Sequence, residues 1–481
     1  MSAPQRSEVP LKGRRIASLV YNDAHNDARV LKSAASLATH GASVRIVATS
    51  RPAQGRGPGI EQRGPGVAIE RLTAFTLDAL VPFGAASVRT LLGIGASGTA
   101  LRPAPASASS PAAPSATGDG PGADTGTGPD TRAGRRRERR GLATRARGAA
   151  RALAVNAWGP ASLTHYWALA TATLVRERPS AILANDANTL VPAVIGGALT
   201  GAPVLYDSHE LWRHRNVRPG RRVAPAVEAL IERVGIARAA GVITVSDSIA
   251  DWLQRTYRLP VRPSLVRNIP AAGPIPSPAE GQLRALAGLD DSARVVAYGG
   301  SITTSRGIEE TLHALALMEP STHLVMLGYG QEDYLAQLRA LAESLGLGER
   351  VHVVGPVLPH EVTAALADGD VSVVHIRPTV LSYRFALPNK LFESIRAGLP
   401  IVAADLPDMA RVVTSLGVGR TSALDDPADL ARALTETMAD ADTYRAAARA
   451  AAAHLTWEAE ADNLVDLVSA AINRRGRGGR A

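Results

Sequence analysis

The sequence predicts an α/β protein built from two doubly wound parallel sheets that face each other across a cleft. The chain has 481 residues, more than one hydrophobic core usually organises. Short apolar runs alternate with amphipathic helical runs, which is typical of parallel strands covered by helices on both faces. This alternation occurs twice, once on either side of a proline-rich segment. Two domains joined by a linker are therefore expected.

Apolar runs bounded by glycine, proline or polar residues predict the strands. In the first half they are RIASLVY, SVRIVAT, AILAND, PVLYDSHE and GVITVSD, and in the second RVVAYGG, HLVMLG, VHVVG, VSVVHI and PIVAAD. Helical periodicity predicts helices between them, such as Ala28–Thr39 and Val227–Ala239.

The segment RNIPAAGPIPSP predicts the linker, which we place at residues 268–278, between domains at 1–267 and 279–455. The first domain contains an insert at about residues 104–150. From 104 to 134 it is nearly all Ala, Pro, Ser, Thr, Gly and Asp, a composition that cannot bury enough apolar surface to order itself. We expect it to be disordered.

Positive charge is concentrated in the run Arg135–Arg151, within a chain of net charge +9. We interpret this run as a solvated face, preferred narrowly over contact with an anionic membrane surface. The run lacks interleaved aromatic residues, so nucleic acid is not an expected partner. The chain has no cysteine and no apolar run long enough to span a bilayer, which favours a cytoplasmic protein, at most peripheral to the inner face of the cell membrane.

One of only three lysines, Lys390, lies in the stretch LPNKLFESIRAGLP. Pro388 and Asn389 are expected to start a helix there, with Asn389 as the cap, so Lys390 and Glu393 share one face. A helix N-terminus beside a lysine favours an anion such as a diphosphate, and a carboxylate one turn deeper suits ribose hydroxyls. The competing interpretation is an exposed ion pair worth about 0.2–0.5 kcal/mol.

Further candidates follow other strands of the second half, where ligands of such sheets bind. The loop GGSITTSRG carries Gly300 and Arg306, and the guanidinium of Arg306 can fork onto phosphate oxygens. The loop LGYG carries Gly328 and Gly330, and the turn VGPV carries Gly355 and Val357.

In the first half, polar residues cluster after two strands. VYNDAHNDARV places Asn26 and Asp27 between a strand and a helix, and YDSHELW places Asp207, His209 and Glu210 after a buried strand. A lone histidine is more often structural. His209 lies between two carboxylates at the strand end facing the cleft, which favours a functional role.

In this order and spacing the motifs resemble the retaining glycosyltransferases of family 4, bacterial members included, which have the two-Rossmann GT-B architecture. The resemblance rests on DARVLKSAASLATHGASVRIVA, VLYDSHELW, GVITVSDSIADWL, VRNIP, GGSITTSRGIEETLHAL, LGYG and LPNKLFESIRAGLPIVAADLP. It implies a nucleotide-sugar donor held by the second domain, with a carbohydrate, lipid-linked or small-molecule acceptor held by the first, as in glycan biosynthesis. It also implies that the C-terminal helix, residues 456–481, returns to the first domain.

The resemblance carries over to specific positions. Glu393 matches the glutamate that holds the ribose, Lys390 and Arg306 match phosphate-binding basic positions, His209 matches the histidine near the transferred sugar, and Asn26 and Asp27 match the diphosphate and acceptor side. Together with the loop positions above, the predicted catalytic residues are His209, Arg306 and Lys390; the predicted donor-binding residues are Gly300, Arg306, Gly328, Gly330, Gly355, Val357, Asn389, Lys390, Leu391 and Glu393; the predicted acceptor-side residues are Asn26, Asp27, Asp207 and Glu210. No metal and no cofactor beyond the nucleotide-sugar co-substrate is implied.

The chain departs from the family pattern at two positions. Phe385 stands where the E-x7-E motif has its first glutamate, and Ser301 stands where an arginine is common. The sequence DGD, Asp368 to Asp370, precedes its strand and is interpreted as a turn rather than a metal site. The alternatives left open are a nucleotide-sugar epimerase and a non-catalytic nucleotide-sugar-binding or partner protein of the same fold.

Overall fold

The computed structural model describes residues 10–76, 157–216 and 224–478, with side chains to residue 474. The predicted disordered insert and the basic run Arg135–Arg151 lie outside these ranges. Within them, none of the helices is long and apolar enough to cross a bilayer.

The first domain is built on an eight-stranded sheet with the order β3-β4-β2-β1-β5-β6-β7-β8. Its strands are β1 Arg15–Leu19, β2 Ser43–Thr49, β3 Gly59–Gly64, β4 Val67–Leu72, β5 Ala181–Asn185, β6 Val204–Ser208, β7 Gly241–Thr244 and β8 Ser264–Leu265. Its helices are Ala28–Thr39, 157–177, Leu190–Thr200, Ala224–Ile236 and Asp247–Tyr257. All pairings are parallel except that of β3 with β4.

The second domain is built on a six-stranded parallel sheet with the order β11-β10-β9-β12-β13-β14. Its strands are β9 Arg294–Gly299, β10 Thr322–Leu327, β11 Val351–Val354, β12 Val371–Val374, β13 Ile401–Ala404 and β14 Gly419–Ser422. Its helices are Leu283–Ala287, Ile308–Leu315, Glu332–Ser344, Val362–Ala365, Leu381–Arg384, Asn389–Arg396, Pro407–Leu416, Pro427–Ala439 and Ala441–Ala452.

The two doubly wound sheets confirm the predicted fold class. The central strands are buried along their whole length, as strands covered by helices on both faces must be, and this burial explains their continuous apolar runs. The helix Ala28–Thr39 has the predicted bounds, and the helix predicted at Val227–Ala239 runs from Ala224 to Ile236.

The last helix, Trp457–Gly478, packs against the first sheet rather than the second. Its first residue contributes two hydrogen bonds: Trp457 Nε1 donates to Ser36 Oγ over 2.8 Å, and Trp457 N donates to Pro270 O over 2.9 Å. Arg267, the last residue before the predicted linker, pairs with Glu460 on the same helix. The second domain is thus joined to the first by two crossings of the chain.

The two domains also touch beside the cleft. Ser246 Oγ donates to Phe385 O over 2.9 Å, and Arg411 Nη1 lies 3.2 Å from Asp247 Oδ2. These contacts join the segment after β7 to the segments after β12 and β13.

The DGD segment lies in a turn, and its carboxylates serve the packing of that turn. Asp368 accepts hydrogen bonds from Leu283 N and Arg284 N, and Asp370 Oδ2 lies 2.9 Å from Arg284 Nη2. Both carboxylates therefore stabilise the start of the helix Leu283–Ala287.

Candidate functional site

A cavity of about 530 Å³ opens between the two domains. The first domain lines it with Asn22, Asp23, Asn26, Asp27, Ala28, Arg29, His209 and Val245, and the rest of its wall is Asn268, Leu387 and Asn389. These residues come from the loops after β1, β6, β7 and β12 and from the predicted linker. The cavity therefore lies beyond the carboxyl ends of parallel strands, where ligands of doubly wound sheets bind.

His209 stands at the cavity between two carboxylates at the ends of neighbouring strands, Asp207 in β6 and Asp186 just after β5. Its Nε2 lies 3.2 Å from Asp207 Oδ2, and its Nδ1 lies 3.6 Å from Asp186 Oδ2. The main-chain amide of His209 also donates to Asp186 Oδ1 over 3.4 Å. The ring thus lies between two carboxylates, within ion-pair distance of each.

The two carboxylates set the charge of this histidine. Burial opposes protonation of the imidazole, but the carboxylates of Asp186 and Asp207 outweigh it and raise the pKa of His209. Burial likewise opposes ionisation of Asp207, yet Arg29 and His209 hold its pKa well below the usual range. The two carboxylates thus favour the protonated, cationic form of the ring over the neutral one.

Asp186 has a backbone conformation that a side-chain-bearing residue rarely adopts, with φ of 62° and ψ of 162°. This region of conformational space is occupied essentially by glycine, and a residue held there costs of order 1–3 kcal/mol. The strain turns the Asp186 carboxylate toward His209, which is consistent with a functional position.

The loop after β1 is organised by its own polar side chains. Asp27 caps the helix Ala28–Thr39 by accepting from Val30 N, and it also accepts from Asn22 Nδ2 over 2.8 Å. Asp23 pairs with Arg56 over 2.6 Å. Asn26 is exposed at the cavity wall, so it is free to meet a ligand that the rest of the loop positions.

Across the cleft, Lys390 occupies an unusual environment. Its Nζ is shielded from solvent and has no hydrogen-bond partner among the described residues, lying 3.9 Å from the centre of the Tyr298 ring. Burial, together with the nearby charge of Arg306, lowers the pKa of Lys390 to about 7. An ammonium held against an aromatic face without an anion is a site prepared to receive one.

The helix that carries Lys390 begins one residue earlier than a capping asparagine would require. Asn389 is the first helical residue and Pro388 takes the cap position, so the prediction that Asn389 caps the helix is wrong. No side chain caps this end. The amides of Asn389 and Lys390 are therefore left for a ligand or solvent, as is usual for the first turn of a helix.

Glu393 lies one turn deeper on the same helix. Burial raises the pKa of its carboxyl, against the lowering influence of Lys390 and Lys32. The described residues offer this carboxylate no hydrogen-bond donor, so it can accept hydrogen bonds from ligand hydroxyls.

Arg306 approaches Lys390 from the loop after β9. Its guanidinium carbon lies 5.5 Å from the centre of the Tyr383 ring, and the described residues provide it no ion pair. The following residue, Gly307, has φ of 68° and packs against His375, so that a Cβ at this position would lie 2.5 Å from the Cβ of His375. This close contact fixes the loop that presents Arg306.

The remaining glycines of the predicted donor site divide into two groups. A Cβ on Gly328 would lie 2.0 Å from Gly300 O, and a Cβ on Gly330 would lie 2.7 Å from Ile302 O, so these two glycines let neighbouring loops pack backbone to backbone. Gly300, with φ of 108°, and Gly355 have open space where a Cβ would point. Only the second group leaves room for a ligand to approach the main chain.

Two other predicted donor residues face protein. Leu391 is fully buried in the core of the second domain, so only its main chain is available to a ligand. Val357 is partly buried and packs against a neighbouring apolar cluster. On the acceptor side, Glu210 Oε2 accepts from Ser382 Oγ over 3.5 Å, and burial raises the pKa of its carboxyl.

Two family models match separate parts of the chain. The model for the glycosyl transferase 4-like domain matches residues 118–271, and the model for glycosyl transferases group 1 matches residues 293–440. The chain belongs to the family 4 glycosyltransferases. Together the two models span more than half of it, one in each domain.

Curated bacterial relatives carry related names. A D-inositol 3-phosphate glycosyltransferase of Xylanimonas cellulosilytica is 26% identical over 288 residues, which is 57% of this chain and 67% of that protein. An alpha-maltose-1-phosphate synthase of Mycolicibacterium smegmatis is 27% identical over 281 residues, which is 52% of this chain and 67% of that protein. The match thus spans about two thirds of each relative.

Solved structures support the two-domain glycosyltransferase fold. Sucrose-phosphate synthase from Thermosynechococcus elongatus superposes with a TM-score of 0.61 at 17% identity, covering 94% of this chain and 98% of that one. Anabaena HepE in complex with UDP-glucose gives a TM-score of 0.59 at 15% identity, covering 95% and 100%. At these identities the likeness concerns the fold alone.

The structure explains why Phe385 can stand where the family motif has a glutamate. Its ring packs on the apolar core of the first domain with Leu381, and its carbonyl accepts from Ser246 Oγ. In this family 4 glycosyltransferase the position that departs from the E-x7-E motif therefore takes part in the contact between domains.

Sequence reasoning missed two residues of the site. Asp186 directly follows the buried run AILAN, so the rule that places ligands after strand ends would have found it. His375 follows β12 in the same way and is buried without a hydrogen-bond partner at either ring nitrogen among the described residues. The residue that reveals the position of His375 is Gly307, which packs against it, and this contact cannot be read from the sequence.

Proposed function

We propose that this family 4 glycosyltransferase moves a sugar from a nucleoside-diphosphate donor to an acceptor hydroxyl with retention of anomeric configuration. The observation that carries the proposal is the shielded ammonium of Lys390, which has no hydrogen-bond partner at the open N-terminus of the helix Asn389–Arg396. A buried amine without a partner is costly unless a ligand completes it. A diphosphate supplies the missing anion.

The surrounding residues support the same ligand. Arg306, unpaired within the described residues, adds a second cation beside Lys390. Glu393 offers its carboxylate to ribose hydroxyls one turn deeper. When the bond from the anomeric carbon to the diphosphate breaks, negative charge grows on the leaving phosphate, and each charge-assisted hydrogen bond to it contributes about 1.5–3 kcal/mol.

The first domain supplies the acceptor side. The cavity wall at His209 and Asn26 is rich in amide and carboxylate groups, which suit the hydroxyls of a carbohydrate, lipid-linked or small-molecule acceptor. His209 orients the transferred sugar, because both its ring nitrogens already face carboxylates. We assign it this orienting role rather than that of a covalent nucleophile.

Several further features belong to the same proposal. The cations and helix N-terminus stabilise the leaving group without a divalent metal, and the nucleotide sugar is a co-substrate rather than a resident cofactor. Cytoplasmic location stays a prediction. So does peripheral contact of residues 135–151 with an anionic membrane, since those residues lie outside the described ranges.

The decisive experiment couples binding to turnover. The purified protein is first tested for a rise in melting temperature with UDP-, GDP-, ADP- and dTDP-sugars, because a ligand that binds the folded state stabilises it by mass action. The stabilising donor is then incubated with mono- and disaccharide acceptors, with and without EDTA, and the anomeric configuration of the product is read by NMR.

The outcomes separate the proposal from its rivals. A glycosylated product with the donor's anomeric configuration, formed equally in EDTA, supports it. Inverted product refutes retention, and loss of turnover in EDTA refutes metal independence. Stabilisation by a donor without turnover on any acceptor would favour a nucleotide-sugar-binding protein, and conversion of the donor into its epimer would favour an epimerase.

A further inference from the structure

Arg29 makes a buried bidentate pair that the proposed reaction does not by itself require. Its Nη2 lies 2.7 Å from Asp207 Oδ1 and its Nε lies 3.0 Å from Asp207 Oδ2. Both side chains are nearly inaccessible to solvent. Oδ2 of Asp207 is also the oxygen that faces His209 Nε2, so one carboxylate joins the guanidinium to the imidazole.

The third contact of Arg29 reaches the connection between the domains. Its Nη1 donates to Val266 O over 2.6 Å, immediately before the predicted linker. One turn later on the same helix, Lys32 Nζ donates to Ile269 O over 2.8 Å. The helix Ala28–Thr39 thus holds the connecting main chain by two cations. Arg29 also pairs with Asp207, whereas Lys32 acts on Glu393 across the cleft.

Charges of both signs act on the ring of His209. The carboxylates of Asp186 and Asp207 favour its protonated form, and the guanidinium of Arg29 opposes it. Burial raises the pKa of Asp186 itself. The other ionisable groups that act on this cluster are Glu210, beside His209, and Asp27, beside Asp186. Arg29 is therefore one of the groups that set the protonation of the ring.

We propose that Arg29 is a positioning residue for sugar transfer: through Asp207 it fixes the ring of His209 relative to the connection between the two domains. This inference rests on the proposed function, in which His209 orients the sugar. A buried ion pair alone would be weak evidence, since such pairs often add little stability. What distinguishes this pair is the oxygen it shares with His209 and the third contact to Val266.

The experiment compares Arg29→Met with Lys32→Met in the full-length protein. Both variants lose one cation and one hydrogen bond to the connecting main chain, but only Arg29→Met releases Asp207. Three quantities are measured for each: the melting temperature, kcat with the donor found above, and the titration of His209 by NMR of histidine-labelled protein. The His209 signal is identified by its absence in His209→Ala.

We expect Arg29→Met to lower kcat about 100-fold, the loss that a displaced catalytic group produces, with little change in donor KM. The titration midpoint of His209 should rise, because the guanidinium opposes protonation of the ring. Lys32→Met should leave kcat and the His209 midpoint near the wild type and change donor KM instead, because Lys32 acts on Glu393 and not on Asp207. In a His209→Ala background, Arg29→Met should cause no further loss of kcat, since its effect passes through the missing ring.

Arg29→Lys keeps the experiment decisive if Arg29→Met fails to fold. It keeps the charge, so the midpoint should stay near the wild type, but it loses the forked geometry, so kcat should still fall. Folded variants in which kcat and the His209 midpoint match those of Lys32→Met would overturn the inference. A wild type without turnover would instead overturn the proposed function, while the titration would still decide whether Arg29 holds His209.

Discussion

Raising the pH is expected to weaken donor binding through Lys390. In the free protein burial lowers the pKa of this lysine to about 7, so its amine is largely neutral above that pH. A bound diphosphate restores the charge, and the required proton must come from solution. At about pH 8.5 protonating the amine costs roughly 2 kcal/mol, which corresponds to an affinity about 30-fold lower than below pH 7.

The assay is calorimetric titration with an intact nucleotide sugar, whose diphosphate diester keeps the same charge across this pH range. At pH 8.5 the binding heat should change between two buffers of different ionisation enthalpy, reporting uptake of about one proton. Lys390→Met is the control, and it should bind more weakly and without this pH dependence. An affinity that is constant between pH 6.5 and 8.5 in the wild type would refute the reasoning.

The same substitution should raise stability. Between about pH 7 and the ordinary lysine pKa, Lys390 is protonated in the unfolded chain but mostly neutral in the folded protein. Folding therefore releases a proton in this range, and the buried amine destabilises the folded state most at about pH 7 and below. Stability of the wild type should therefore increase as the pH rises from 7. Lys390→Met should melt at a higher temperature than the wild type at pH 7, and an equal or lower melting temperature would contradict the buried, unpartnered amine.

The other predictions concern single side chains. Arg306→Ala should weaken binding of a nucleoside diphosphate more than binding of the nucleoside, whereas Glu393→Gln should weaken binding of both ligands by a similar factor. Calorimetry with each ligand checks this. If Glu393→Gln affected mainly the diphosphate and Arg306→Ala affected both ligands equally, the two roles would be exchanged. His209→Ala should lower kcat roughly 10- to 1000-fold with donor affinity unchanged, and unaltered turnover in a folded variant would remove the residue from the mechanism. Gly307→Ala should lower stability by about 1–3 kcal/mol in denaturant titration, because the new Cβ meets His375 at a positive φ; wild-type stability would mean that the loop yields.

The sequence predicts the central strands well because their signal is local. Runs such as VVAYG are buried on both faces, so the pattern itself records the environment. Two edge strands, β3 and β14, have no such signal. IEQRG in β3 and GRTS in β14 are mostly polar and, apart from the buried Ser422, exposed or half-buried. They become strands through pairing with a neighbour.

The residues of the candidate site also differ in whether a local sequence signal predicts them. Lys390 and His209 were predictable because a rare or polar residue directly follows a strand or opens a helix. The partner of Arg29 was not, since Asp207 lies 178 residues further along the chain and only the fold brings them together. The packing of Phe385 on the first domain is likewise a property of the assembled chain.

The position of the last helix affects when the first domain can finish folding during synthesis on the ribosome. The first sheet is complete in sequence at Leu265, but part of its apolar covering, including Trp457, Leu464 and Val468, is made about 190 residues later. At ~5–20 residues per second this is a delay of roughly 10–40 s, during which the nascent first domain exposes the surface those side chains will cover. The second domain can fold while it emerges, so the domain made first is the one that must be finished last.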